Sequence, residues 1–381
     1  MRTIPFGKPM IGEEEKRAAL AVLDGPVLVH GPHIRAFEDA FASFTGASHA
    51  VAVSSCTAAM HLFYMSMGLG PGDEIIVPAL THTATAHAVE LCGATPVFVD
   101  AELETGNIDI DQIEARLSPN SRGVAVVHFL GMPVDMTKVR ALTDKRNLVV
   151  LEDCALSVGT RINGTHAGLL GDAGCFSFYP VKHITTAEGG MLITRRQQTA
   201  MAVEKLRAFG VDRDVAQRAI PGIYDVIALG LNYRMSEIQA AIGTEQLKRL
   251  NSFLSQRREN YEQLYSLAAG IPEIRLFRRE APHAEHSHYC LSILLNTKLA
   301  PKRNQFIESL KVRGVGTSVY YPKPVPLLSY YRNKYSHRPD EFPVASRVSE
   351  SSIALPVGPH LTGDDMSYIG ECIKSSIREI R

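Results

Sequence analysis

The chain has 381 residues, 45% apolar and 21% charged, an ordinary globular composition with room for two sizeable cores. Lys+Arg and Asp+Glu balance at 40 each, which argues against a nucleic-acid or anionic-membrane partner. No apolar run reaches spanning length, and Met1 to Gly12 lacks the apolar core of a signal peptide.

Apolar spacing of three and four predicts helices over Glu13–Leu23 and Ile34–Phe44. A short strand, Ala50–Val53, runs into Ser54-Ser55-Cys56-Thr57 and a helix over Ala58–Met67. Pro71-Gly72-Asp73 turns the chain into a strand over Glu74–Val77. Thr83–Cys92 reads as a helix and Pro96–Val99 as a strand. Gly123–His128 and Leu148–Leu151 are further buried-type strands, with a helix over Val139–Arg146 between them. This alternation predicts an α/β fold with a mostly parallel sheet, whose ligands sit at the carboxyl ends of the strands. Ser54–Thr57, Glu152-Asp153 and Phe176–Lys182 fall at such ends.

A long helical stretch from Ser236 to about Ala268 leads into a smaller mixed unit. There His288–Leu295 alternates like a strand, Asn304–Val312 reads as a helix, and Pro-rich Tyr320–Pro326 as a loop or edge segment. The expected division is a large domain over 1–245 and a small C-terminal domain, with the connecting helix, over 246–381.

Three segments carry chemistry. Lys182 stands among aromatic, apolar and small residues before Gly189-Gly190, a setting that desolvates an amine and keeps it neutral enough to attack an aldehyde. Alone, such a lysine also reads as a solvated surface charge. Asp153 ends an apolar strand, where a carboxylate needs a partner such as a protonated pyridine nitrogen; a helix cap or a metal ligand is the bland alternative. No second metal-type cluster stands near it in the sequence, and His283, His286 and His288 read as a solvated loop, so no metal is expected. Ser54–Thr57 can bring backbone N–H groups and the Thr57 hydroxyl to a phosphate, or serve as a plain N-cap. No dinucleotide or P-loop pattern is present. The six cysteines form no CxxC pair and read as small reduced core residues, consistent with the cytoplasm.

Taken together with Gly70–Pro78, Gly93–Asp100, Val127–Gly131, Lys182–Gly190 and Gly230–Met235, these segments resemble the DegT/DnrJ/EryC1/StrS family of sugar aminotransferases over nearly the whole chain. The resemblance implies a pyridoxal 5′-phosphate (PLP) fold of the aspartate-aminotransferase type (fold type I), with a seven-stranded-type sheet, acting as a homodimer with sites at the interface. It implies that Lys182 is the Schiff-base lysine and Asp153 the partner of the pyridine nitrogen. Ser177, Thr57 and the Ala58 backbone match phosphate contacts, and Asn232 a contact from the other subunit. His82 takes the place of the aromatic residue stacked on the cofactor ring. Arg234 is a candidate for the donor carboxylate or the sugar diphosphate, with a structural ion pair as the alternative. Tyr321 lies in the loop that borders the substrate in the family.

The sequence departs from the family at three points. Cys56 replaces a usual Gly, Leu156 replaces the Gln or His that contacts the cofactor's O3′, and Pro326 replaces a His of the Tyr-Tyr-Pro loop. Leu cannot donate a hydrogen bond, so Ser157 or a water is the expected substitute. The implied reaction moves an amino group from L-glutamate to a nucleotide-linked 3-keto or 4-keto deoxysugar. A keto-cyclitol aminotransferase, a sugar 3-dehydratase and a non-catalytic PLP-fold regulator are the alternatives. In the dehydratase a His replaces the lysine; here the lysine is present and His183 follows it. No DNA-binding segment is appended to support a regulator.

Overall fold

The computed structural model describes residues 2–213, 219–220, 222–278 and 283–381. In chain order the first elements are α1 (Glu13–Leu23), α2 (Pro32–Thr45), β1 (His49–Val53), α3 (Cys56–Ser66), β2 (Glu74–Pro78), α4 (Thr83–Glu90), β3 (Thr95–Val99), β4 (Ser121–Val127), α5 (Met136–Thr143) and β5 (Val149–Asp153). Then come β6 (Arg161–Ile162), β7 (Thr165–His166), β8 (Ala173–Ser177), β9 (Gly190–Thr194), α6 (Gln197–Leu206) and α7 (Glu237–Ala269). The last are β10 (Ile274–Leu276), β11 (Ala284–Glu285), β12 (Leu291–Leu295), α8 (Arg303–Val312), α9 (Ser329–Tyr335), α10 (Pro343–Ser351), β13 (Ser352–Leu355) and α11 (Gly363–Ile380).

The central sheet has seven strands in the order β1-β9-β8-β5-β4-β2-β3. Only β9 runs against its neighbours; the β8, β5, β4, β2 and β3 pairings are all parallel. Helices cover this sheet, so β8 and β9 are buried at every residue and their sequences lack period-two alternation. Parallel strands end on one side. The carboxyl ends of β1, β5 and β8 therefore meet, bringing together the segments after Val53, at Asp153 and at Ser177.

Helix α3 begins two residues before the expected start, because Ser55 caps it by accepting the Ala58 N–H at 3.1 Å. The expected strand over 288–295 shortens to β12, since His288 takes a left-handed backbone (φ 51°) that breaks the pleat. Helix α7 crosses the 245/246 position without interruption, held at its start by a capping box between Ser236 and Gln239. Its second half shares a core with β12, β13, α8 and α11, and Ile4 from the N-terminal segment packs there too. The Ile4 N–H donates to Gly314 O at 2.8 Å.

Glu152 and Asp153 point to opposite faces of β5, as neighbours on a strand must. Glu152 is structural. It accepts the N–H groups of Gly168 and Leu170 at 2.8 Å, that of Gly171, and His128 Nε2 at 2.9 Å. His128, Glu152 and Cys154 thus form a compact buried group with metal-type ligand atoms, which the sequence reading did not foresee. The Glu152 oxygens are taken by these donors, and His128 Nδ1 accepts the Val134 N–H at 3.1 Å.

The loop that follows Asp153 is tied by His166, which is fully buried. Its Nε2 accepts the Gly159 N–H at 2.9 Å and its Nδ1 donates to Ala167 O at 2.6 Å. Burial pushes its pKa down to about 4, from an ordinary 6.5. The unfolded chain then binds this proton more tightly than the folded one. The stability it contributes is whole above about pH 6.5 and is lost as pH falls towards 4, to a ceiling of about 3 kcal/mol. Urea midpoints are expected to fall across that window, and less steeply in His166→Gln. Equal slopes in the two proteins would refute the assignment.

Candidate active site

A cavity of about 480 Å³ opens at the carboxyl ends of β1, β5 and β8. Lys182, Asp153, Thr57, Ser177, His82 and Tyr321 all line it. Between β8 and β9, the chain folds back on itself: Lys182 N–H donates to Tyr179 O at 2.9 Å, and Phe178 N–H to Gly189 O at 2.9 Å. This sets the half-buried Lys182 side chain in the cavity. Burial pushes the amine's pKa down, while Cys56, Asp153 and Cys290 push the other way. A lowered pKa puts more of the amine in its nucleophilic form.

Asp153 is nearly enclosed, with 4% exposure. Its Oδ2 accepts from Thr85 Oγ1 at 2.8 Å, and its Oδ1 from the Ala155 N–H at 3.0 Å, with Cys56 Sγ 4.0 Å away. Thr85 is in turn bonded to Thr81 at 2.8 Å. These donors fix the direction of the carboxylate. The bland reading of Asp153 as a helix cap does not hold, because no helix begins after it.

The N-terminus of α3 forms one wall. Here the close approach of two backbones requires a glycine: a Cβ on Gly190 would lie 2.3 Å from Ser55 C and 2.5 Å from Cys56 N. Thr57 faces the cavity from this turn. The Ala58 N–H, expected to meet a phosphate, is instead engaged by the Ser55 cap, so an anion at this helix end meets Thr57 and the turn first. Ser177 lies at the end of β8, its Oγ 3.4 Å from the Tyr179 N–H that it accepts. His82 caps α4 by accepting the Ala84 N–H on Nδ1 at 3.2 Å, which fixes its ring at the cavity rim. The ring meets Tyr321 edge-on, with centroids 5.9 Å apart.

Other expected contacts fall elsewhere. Asn232 is exposed and does not line the cavity of its own chain. Arg234 lies over the Phe209 ring at 5.0 Å; its Nε is buried without a partner, and among the described residues no carboxylate pairs with it. The ion-pair alternative for Arg234 is therefore set aside. Leu156 does line the cavity, but Ser157 does not, because that side chain turns into the core. Ser157 is thereby removed as the substitute at the O3′ position. Pro326 is buried and does not line the cavity, whereas Tyr320 and Tyr321 border it. The histidine loop is solvated only in part: His283 is exposed as expected, but His288 is buried and His286 half-buried, both packed on the Tyr261 ring at 4.8 and 5.4 Å. Sequence reasoning missed Thr85 and Tyr289, because nothing near them in the chain marks them and only the fold brings them to Asp153 and Lys182.

The model of the DegT/DnrJ/EryC1/StrS aminotransferase family matches residues 9–374. The chain belongs to this family. It is 35% identical over 381 residues to the spore coat polysaccharide biosynthesis protein SpsC of Bacillus subtilis, covering 98% of this chain and 97% of SpsC. Among solved structures it is similar to Spr1654 of Streptococcus pneumoniae in its PMP form, with a TM-score of 0.94, 27% identity and full coverage of both chains. It also superposes on PseC of Helicobacter pylori, an aminotransferase involved in pseudoaminic acid biosynthesis, with a TM-score of 0.93 and 26% identity. That match covers 99% of this chain and 100% of PseC. The family's fold is thus the fold seen here, and PLP is its cofactor. The aminotransferase cavity holds the groups that PLP needs: an enclosed amine, a carboxylate oriented by two donors, and hydroxyls beside a helix N-terminus. The residues present fit the group, with Leu156 as the one apolar wall where the sequence resemblance implies a donor. Among the described residues, no helix is long and apolar enough to cross a membrane.

Proposed function

We propose that the protein transfers an amino group from L-glutamate to the keto carbon of a nucleotide-linked sugar. The observation that carries this reading is the shared cavity of Lys182 and Asp153 at the strand ends. Lys182 Nζ would hold the cofactor covalently, Asp153 would pair with its ring nitrogen, and Thr57, Ser177 and the start of α3 would take its phosphate. When bound, PLP supplies an electron sink for the substrate carbon that loses a proton. Released Lys182 takes that proton on Nζ and returns it, acting as both base and acid. His82 and Tyr321 exclude water on one side of the site. A sugar acceptor is supported by family membership and by relatives named for polysaccharide and pseudoaminic acid biosynthesis.

The site is completed by a second copy of the chain. Phe209, Ile223, Val226, Ile227 and Leu229 expose apolar surface in the segment that leads to Asn232 and Arg234. Such a patch is what a homodimer covers. Asn232 then reaches the partner's phosphate site, and the Arg234 guanidinium, which pairs with no carboxylate among the described residues, is available for a carboxylate or diphosphate. The six thiols are free, which fits a reducing cytoplasm.

The decisive experiment uses the pyridoxamine form in single turnovers. Nucleotide-linked 3-keto and 4-keto sugars are compared with keto-cyclitols, and the cofactor's absorption is followed. Conversion with a nucleotide-linked sugar, and regeneration by glutamate in preference to other amino acids, is expected. A purified chain that takes up no PLP would overturn the reading, and turnover of cyclitols alone would reassign the acceptor.

A further inference from the structure

Tyr289 belongs to none of the motifs above, yet its ring lies beside the reacting amine. Lys182 Nζ stands 5.4 Å from the ring centroid, within the range in which an aromatic face attracts a cation. The ring cannot swing away. Tyr289 is 3% exposed, its hydroxyl is bonded to that of Tyr320 at 2.9 Å, and its carbonyl accepts from Arg257 Nη1 at 2.9 Å. His183 packs on another side, with centroids 5.7 Å apart. The Arg257 guanidinium lies 6.0 Å from the same ring, at the edge of the cation–π range, and serves as an anchor.

The other groups around Nζ leave few ways to hold a positive charge there. The Cys56 and Cys290 thiols are pushed up by burial and stay neutral near pH 7. The Tyr289 and Tyr321 hydroxyls are raised the same way, and that of Tyr320 is pushed up to about 12. His183 is held well below its ordinary range by burial, and burial lowers His82 as well. Arg257 is a like charge. Glu188 also lines the cavity, but among the described residues Asp153 is the carboxylate that acts on Lys182, and the proposed chemistry engages Asp153 with the ring nitrogen. The face of Tyr289 remains.

We propose that Tyr289 is a positioning residue whose ring docks the Lys182 ammonium between proton uptake and proton return. The inference rests on the reading of Lys182 as the proton carrier. The Nζ lone pair accepts a proton from the substrate carbon, and the same proton is later given back from Nζ. The step needs no oxidant and no further acid. Loss of the ring face makes the ammonium harder to form, so the base weakens while substrate binding is spared.

The test titrates Lys182 in the full-length protein freed of cofactor, by competitive acetylation with acetic anhydride across pH and mass spectrometry of the Lys182 peptide. Tyr289→Leu is expected to lower the apparent Lys182 pKa by roughly 0.4 to 1.5 units, the span that a cation–π contact commands. Tyr289→Phe keeps the ring and loses the bond to Tyr320, so it should titrate as the wild type does. In the holoenzyme, Tyr289→Leu should lower kcat with KM little changed, and Tyr289→Phe should restore it. An unshifted Lys182 in Tyr289→Leu overturns the proposal; so does an equal shift in Tyr289→Phe, which would assign the effect to the hydroxyl pair. Should Tyr289→Leu not fold, increasingly fluorinated phenylalanines at 289 keep the size and weaken the face. A stepwise fall in the Lys182 pKa is then expected, and a flat series overturns the proposal. PLP uptake, read from the visible band, is scored apart. No band with a shifted lysine sinks the cofactor reading and the catalytic use of the contact with it, leaving only the ring–ammonium contact, whereas a band with an unshifted lysine sinks the docking role alone.

Discussion

Lys182→Ala should lose amino-group transfer by a factor of about 10⁴ or more, the upper range for removing a positioned acid–base group, with the covalent anchor lost as well. The side chain has two tasks at one atom, and among the described residues no other amine lines the cavity to take over either. PLP should still bind through Asp153 and the phosphate contacts, but without the band of a lysine-linked cofactor. Lys182→Arg should be as inactive as Lys182→Ala. It keeps the positive charge, yet a guanidinium does not deprotonate near neutral pH and cannot act as the base. Rapid-quench single turnovers with glutamate measure the loss directly. A Lys182→Ala protein that turns over at the wild-type rate would remove this residue from the mechanism.

The second large effect is expected at Asp153. Asp153→Asn preserves the shape and can still accept from Thr85, but it removes the charge proposed to pair with the ring nitrogen. A loss in kcat of about 10²–10³-fold is expected, the range found when one preorganised electrostatic group is removed. KM for the amino donor should change far less, because the carboxylate stabilises charge that develops only during the reaction. Thr85→Val tests the support beneath it. That variant leaves the carboxylate in place with one donor fewer, so its loss should lie between the wild type and Asp153→Asn. Wild-type kcat in Asp153→Asn would mean that the ring is not held protonated from this side.

How much of the site could be read in the sequence depended on whether a residue sat at the end of a recognisable strand. Asp153 and Ser54–Thr57 did, and Lys182 followed a buried aromatic run; each falls where the alternation of strands and helices puts it. Leu156 was legible as a departure, but not its consequence, because only the packed loop shows Ser157 turned away from the cavity. The histidines at 286 and 288 looked polar in the chain, and the Tyr261 ring that shelters them comes from α7, far away in sequence. The strands β8 and β9 carry no alternation to recognise, since both of their faces are covered. The start of α3 was misplaced for a local reason: whether Ser55 or the residues after it cap the helix is a choice of backbone angles that composition does not reveal.

The chain by itself determined the fold class, which follows from local periodicity, and the family, which its short segments together resemble, and it marked Lys182 and Asp153 as a candidate amine–carboxylate pair. Tertiary structure alone decided what surrounds that pair. Thr85 aims Asp153 from a helix 68 positions away in sequence, and Tyr289 meets Lys182 from beyond the long helix α7. Direction and burial are properties of packing between distant segments, and they govern how readily Lys182 gains and loses its proton.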